Sequence, residues 1–230
     1  MTFIAYSMSS SKLHLRKRTK LIAACAALTI VGALSTAVYL RNEITSSSVT
    51  HLSLESIAPL PELKVGDLIF RMGVGADSFV IADVTNSKYS HMGMISAIEP
   101  EILVTHATTA DDAGSNFEGV ITIPLKNFVS EASSLAIGRY QDLNDSSIEQ
   151  VQNYLKSIEG QPFTITPDPR SIYCSSMVIF ALQDHVTMQV NKTFLNIPFN
   201  EGDYYVPQSF IEDPNLKIIY VFDDPQSHLK

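Results

Sequence analysis

Cysteine is scarce in this chain, and its scarcity excludes a disulfide framework. Two cysteines occur in 230 residues. Cys25 lies in an apolar stretch near the amino terminus, and Cys174 stands alone in the remainder. A cysteine with no partner for an intramolecular bridge is a candidate reactive thiol. Closely spaced His or Cys pairs are also lacking. Cys174, His91 and His106 have donor types that suit zinc, but their spacing argues against a metal site, and neither metal nor cofactor is expected. Internal repeats, C2H2, helix-turn-helix and phosphate-loop patterns are absent. Positive charge is scarce beyond residue 40. Residues 41–230 hold 11 Lys/Arg against 24 Asp/Glu, a net charge of −13. A domain this acidic is a poor partner for nucleic acid or an anionic lipid surface.

What is present is a globular composition, with 45 % apolar and 17 % charged residues, enough for one well-cored domain and a targeting segment. Residues 1–20 are basic, with Lys12, Arg16, Lys17, Arg18 and Lys20. Residues 21–40 form an uncharged apolar run about as long as a bilayer requires. Basic residues before such a run predict a cytoplasmic amino terminus and an exported remainder. The run reads as a transmembrane signal anchor, with a cleaved signal peptide as the alternative because Ser35-Thr36-Ala37 offers small residues at a cleavage-type spacing. Within it, Cys25 reads as a small residue of a lipid-facing helix. Residues 41–60, rich in Ser and Thr, read as a linker, and residues 61–230 as the folded domain. The expected location is the cell membrane, single-pass with the domain in the periplasm or at the cell surface, or secreted if the signal is cleaved.

Within the domain, Leu68-Ile69-Phe70 reads as a short strand after Gly66-Asp67. Residues 72–77 read as a loop and residues 78–86 as a short helix. Tyr89 to Ala97 and Ile102 to His106 read as strands joined across Glu99-Pro100-Glu101, with further strands at residues 120–123, 135–140 and 218–222. From Ser146 the period becomes helical, with Ile148, Val151, Leu155 and Ile158 on one stripe, Ser146 and Glu149 as a capping box, and Gly160 as the stop. Met177 to Leu182 is an unbroken apolar run, expected to be a helix buried on all sides. Strands first and helices later argue an α+β fold.

Three side chains carry the chemistry in this pattern. An antiparallel hairpin sets His91 and His106 roughly opposite each other on one face, so one imidazole can fix the tautomer of the other. Cys174 stands where the apolar helix begins, and free N–H groups there favour a thiolate. Cys174 is thus the expected nucleophile, His91 its base and then acid, and His106 the orienter. The amide of Cys174 is an expected oxyanion donor.

At these residues the chain resembles the permuted papain-like cysteine hydrolases of the NlpC superfamily, in particular the YiiX-like branch. The resemblance covers roughly Val65 to Phe222. It is carried by Gly66-Asp67-Leu68-Ile69-Phe70-Arg71, Ser90-His91-Met92-Gly93, Tyr173-Cys174-Ser175, and Tyr205-Val206-Pro207 leading into Gln208-Ser209-Phe210. It implies a circularly permuted papain-like fold, with an antiparallel sheet or barrel followed by a buried helix, and Cys174 and His91 as nucleophile and base. The third polar position, usually Glu before Ala in this branch, is His106-Ala107 here. The related lecithin–retinol acyltransferase group uses histidine at that point. The residue after Cys-Ser, commonly Glu, is Ser176. Tyr205, with Tyr173 and Ser90 beside the nucleophile and base, is an expected substrate contact.

The expected function is an exported or membrane-anchored bacterial cysteine hydrolase acting on an amide or ester bond, in a cell-wall peptide or a lipid-linked acyl group. Its partners are that substrate and, through residues 21–40, the membrane. Alternatives are an acyltransferase using the same thioester chemistry and a non-catalytic binding module on the same fold.

Overall fold

The computed structural model describes residues 52–109, 117–196 and 200–223. The chain up to residue 51, including the apolar run at 21–40, lies outside the described residues. Among the described residues no helix is long and apolar enough to cross a membrane.

A six-stranded sheet organises the domain. Its strands are β1 (Leu68–Gly73), β2 (His91–Ala97), β3 (Leu103–Thr108), β4 (Gly119–Pro124), β5 (Ala132–Tyr140) and β8 (Leu216–Asp223). Their spatial order is β4-β3-β2-β1-β5-β8, and every neighbouring pair is antiparallel. The helices are α1 (Ala76–Val84), α2 (Leu125–Ser130), α3 (Asp145–Ile158), α4 (Cys174–Leu182) and α5 (Pro207–Ile211). A separate two-stranded ribbon pairs β6 (Thr193–Leu195) with β7 (Gly202–Tyr204).

Side chains alternate along a strand, and both faces of this sheet are covered. Leu68, Phe70, Met92 and Met94 point into a core filled by Val151 and Leu155 of α3 and by Met177, Val178 and Leu182 of α4. Ile69, Ile95, Val104 and Ile137 point into a second core, closed by Phe128 and Val129 of α2 and by Leu52 and Ile57. This is why β1 and β2 read as near-continuous apolar runs. A fully buried Phe70 contributes about 3–5 kcal/mol against truncation to alanine.

The boundary of the folded unit is earlier than the sequence reading placed it. Residues 52–60 were expected to belong to a linker, yet Leu52 and Ile57 are buried, and the Leu52 N–H donates to the Ala132 carbonyl at 3.2 Å. The hydroxyl of Tyr220 also donates to the carbonyl of Ile57. Pairing these leucines and isoleucines with the sheet needs a partner face that local composition does not show. Two further elements went unread, α2 and the β6–β7 ribbon. Both are short, and tertiary packing holds them rather than propensity.

The cap of α3 is also shifted. Asn144 is the N-cap and its Oδ1 accepts from the Ser147 N–H at 3.1 Å, while Ser146 donates its hydroxyl to the same oxygen at 2.6 Å. The predicted stripe is correctly placed, with Val151, Leu155 and Ile158 buried. The turn into β1 is fixed by charge. Asp67, almost fully buried, takes a bidentate ion pair from Arg139 of β5, at 2.5 Å from Nε and 2.6 Å from Nη2. The carboxylate also accepts from the Lys64 N–H at 2.8 Å. Gly66 before it has φ +91°, a left-handed conformation that favours glycine, and a Cβ there would lie 2.2 Å from Leu143.

Candidate active site

Helix α4 packs against β2 and β3, so its first residue, Cys174, meets the start of β2. The chain enters this helix through a compact cap. Ser176 Oγ accepts from the Tyr173 N–H at 2.9 Å and donates to the Ser171 carbonyl at 2.7 Å. Ser176 is the third helical residue, so its hydroxyl does what a glutamate does in a capping box.

β2 and β3 pair from Met94↔Thr105 to Ala97↔Leu103. Continued towards His91, this register sets His106 across from Gly93, not across from His91. The two histidines are diagonal neighbours on one face, close enough for ring contact. His91 Nε2 and His106 Nδ1 are 2.8 Å apart. Gly93 leaves room for this, because a Cβ there would lie 3.1 Å from the Cβ of His106. The sequence places the histidines roughly opposite each other; the hairpin turns about Pro100 rather than Ile98–Glu99, and the bulge between Ile95 and Ala97 brings both onto one face as diagonal neighbours.

Phe128 of α2 underlies the pair. Its ring stacks on His91 at 5.8 Å and meets the edge of His106 at 5.2 Å. The Arg71 guanidinium sits over the same ring at 4.3 Å and donates to the Phe128 carbonyl at 2.9 Å. Arg71 is the cross-strand partner of His91 and is itself buried. Neither Phe128 nor the role of Arg71 was evident in the sequence. The one signal was Arg71, a charged residue closing the apolar run of β1.

Cys174 and His91 open onto one cavity of about 450 Å³. Arg71 and Ser175 also face it, but most of its wall is apolar, with Val80, Ile81 and Val84 of α1, Phe163, Ile165 and Leu195. Segments 72–77, 107–109 and 160–172 all contribute to the lining. Of the expected substrate contacts, Tyr205, Tyr173 and Ser90 all line the cavity. Two of their hydroxyls are engaged inside the protein. Ser90 Oγ accepts from the Gly73 N–H at 3.0 Å, and the Tyr173 hydroxyl accepts from the Tyr205 N–H at 3.1 Å. Ser90 and Tyr173 therefore shape the wall, and Tyr205 lines it with the Lys192 ammonium 5.1 Å from its ring centroid. His106 is fully buried and outside the cavity lining, and its ring contact with His91 is what links it to the cavity. Among the described residues no group of three or more His, Cys, Asp and Glu is placed to hold a metal ion.

The electrostatics of Cys174 differ from expectation. Burial pushes the thiol above its ordinary pKa. The Ser175 hydroxyl, the N–H groups of Met92 and Ser175, and the Arg71 guanidinium all pull it back down, but burial outweighs them. The helix start alone does not generate a resting thiolate; the thiol rests protonated in the wall of a cavity that His91 also lines. Alkylation of Cys174 by iodoacetamide should accordingly rise through a midpoint above the ~8.5 of a free cysteine. In Arg71→Met the midpoint should move further up, since removing a cation disfavours the thiolate. A midpoint below neutrality would show that pairing with an imidazolium overrides desolvation.

An antiparallel sheet that bears the histidine, followed in the chain by a buried helix that begins at the cysteine, defines a papain-like cysteine hydrolase with permuted element order. The sequence matches, over residues 62–220, the family of permuted papain-like amidases of the YaeF/YiiX type, the C92 family. The chain belongs to that family. The solved structure of the metalloprotein YiiX from Escherichia coli O157:H7 has the same fold, with a TM-score of 0.60 at 21 % identity, covering 71 % of this chain and 100 % of that one. No curated protein matches the chain in sequence.

Proposed function

We propose that this protein is a membrane-anchored hydrolase that cleaves the amide or ester bond of an acyl group through Cys174. The observation that carries this reading is the opening of Cys174 and His91 onto one largely apolar cavity. A cell-wall stem peptide brings several charged groups, whereas the surface exposed in the cavity is mostly apolar. An acyl chain suits the wall provided by Val80, Ile81, Val84 and Leu195. The apolar run at 21–40 supports an anchor, with the domain outside the cytoplasm.

In this mechanism His91 donates its Nε2–H to His106 Nδ1, which leaves His91 Nδ1 to take the thiol proton. The Cys174 sulfur attacks the acyl carbonyl and forms a C–S bond. Backbone N–H groups at the start of α4 stabilise the oxyanion. The C–N or C–O bond then breaks, and the leaving amine or alcohol takes the proton from His91. Water, deprotonated by His91, attacks the thioester, releases the carboxylic acid and restores the thiol.

Transfer to a second nucleophile instead of water is the alternative outcome of the same thioester. The full chain treated with p-nitrophenyl octanoate and quenched in acid should carry an octanoyl adduct on the peptide containing Cys174. Discharge to octanoic acid in the presence of amines identifies a hydrolase; discharge to the amide identifies a transferase. A protein that never acquires the adduct, with any acyl ester, is a binding module on this fold.

A further inference from the structure

Helix α1 carries an exposed apolar surface. Val80 is 62 % exposed, Ile81 41 % and Val84 49 %. Isolated exposed apolar residues are ordinary, but three within five positions of one helix are not. Val80, Ile81 and Val84 also line the cavity that holds Cys174. The exposed surface is thus the outward continuation of the cavity wall. On the same cavity Ile165 is 38 % exposed. Val80, Ile81, Val84 and Ile165 thus give the cavity exposed apolar side chains, with Asp77 and Glu131 as the acidic residues of its lining.

We infer that this apolar face docks on a zwitterionic lipid surface, and that the acyl substrate enters the cavity from that surface. The substrate half of the inference rests on the acyl chemistry proposed above, and the docking half on the proposed anchor at residues 21–40. Two further observations select lipid as the occupant. Eleven residues, 41–51, separate the apolar run from Leu52, and a chain of that length spans at most about 40 Å when fully extended. The sequence from residue 41 onward carries a net charge of −13, which disfavours an anionic surface and leaves insertion of apolar side chains as the attraction.

The chain contains no tryptophan, so a single introduced indole reports only its own surroundings. Val80→Trp and, as a control on the sheet edge, Lys217→Trp would be made in the full chain and reconstituted into phosphatidylcholine vesicles with or without bromine on the acyl chains. An inserted side chain lies about 5–10 Å into the headgroup–acyl boundary, within contact of the bromines. The expected result is blue-shifted emission from position 80 that is strongly quenched by brominated lipid, with position 217 unaffected. Ile165→Trp, in the lining of the same cavity, should behave like position 80. Equal emission from position 80 in both vesicle types would overturn the inference. A blue shift without bromine quenching would overturn it too, and would assign the face to another part of this chain or to a second copy. Quenching at position 80 in a protein that never acquires an adduct on Cys174 would uphold docking while removing the proposed hydrolysis.

Discussion

Replacing Cys174 with alanine is expected to lower kcat for acyl-ester hydrolysis by about ten-thousand-fold or more, the scale on which a covalent nucleophile is worth more than the pocket that surrounds it. The change removes one sulfur atom from the cavity wall and leaves the cap of α4 intact, because that cap is built from Ser176, Tyr173 and Ser171. Substrate affinity should therefore change little, and the loss should appear in kcat. Cys174→Ser should be nearly as inactive, since His91 would have to deprotonate a far weaker acid. The measurement is steady-state hydrolysis of an acyl p-nitrophenyl ester by the full chain and both variants. An alanine variant that keeps even a tenth of the rate would move the chemistry away from Cys174.

The second large effect is expected at His106. It is fully buried, and its Nδ1 lies 2.8 Å from His91 Nε2. Removing the acceptor frees His91 to adopt the tautomer with its proton on Nδ1, which cannot take the thiol proton. His106→Leu should lower kcat by about 10²–10⁴-fold, as misassigned tautomers do in related catalytic arrangements. A packing role would predict the same loss, so the conservative variant decides. His106→Glu restores an acceptor at the same place and adds a negative charge. It should recover most of the activity and shift Cys174 alkylation towards lower pH, because a carboxylate stabilises the imidazolium that accompanies a thiolate. If His106→Glu is folded, as judged by thermal melting, and stays as inactive as His106→Leu, the positioning role is wrong.

Much of the site was legible because its chemistry is tied to short local patterns. The period-2 segments around Glu99-Pro100 marked the hairpin that carries both histidines. The apolar run after Tyr173-Cys174-Ser175 marked the helix, and the motif order marked the permuted fold. What local pattern could not give was the meeting of distant segments. Phe128 lies on a six-residue helix that the sequence reading left unassigned, yet its ring touches Arg71, His91 and His106. The same holds for Leu52 and Ile57, whose burial depends on a sheet face formed far along the chain.

The sequence by itself pointed to Cys174 and His91 as candidate nucleophile and base, and determined the order of strand and helix and the membership of a cysteine hydrolase family, because each is written in contiguous residues. Only the tertiary structure decided how these residues are arranged. The bulge in β2–β3 made the histidines diagonal neighbours. The packing of α4 on the sheet buried the thiol and raised its pKa against the pull of the helix start. The gathering of α1, the 160–172 loop and the β6–β7 ribbon built an apolar cavity from segments with no common pattern. Desolvation and shape arise from all neighbours in space at once, and a one-dimensional pattern records only neighbours in the chain.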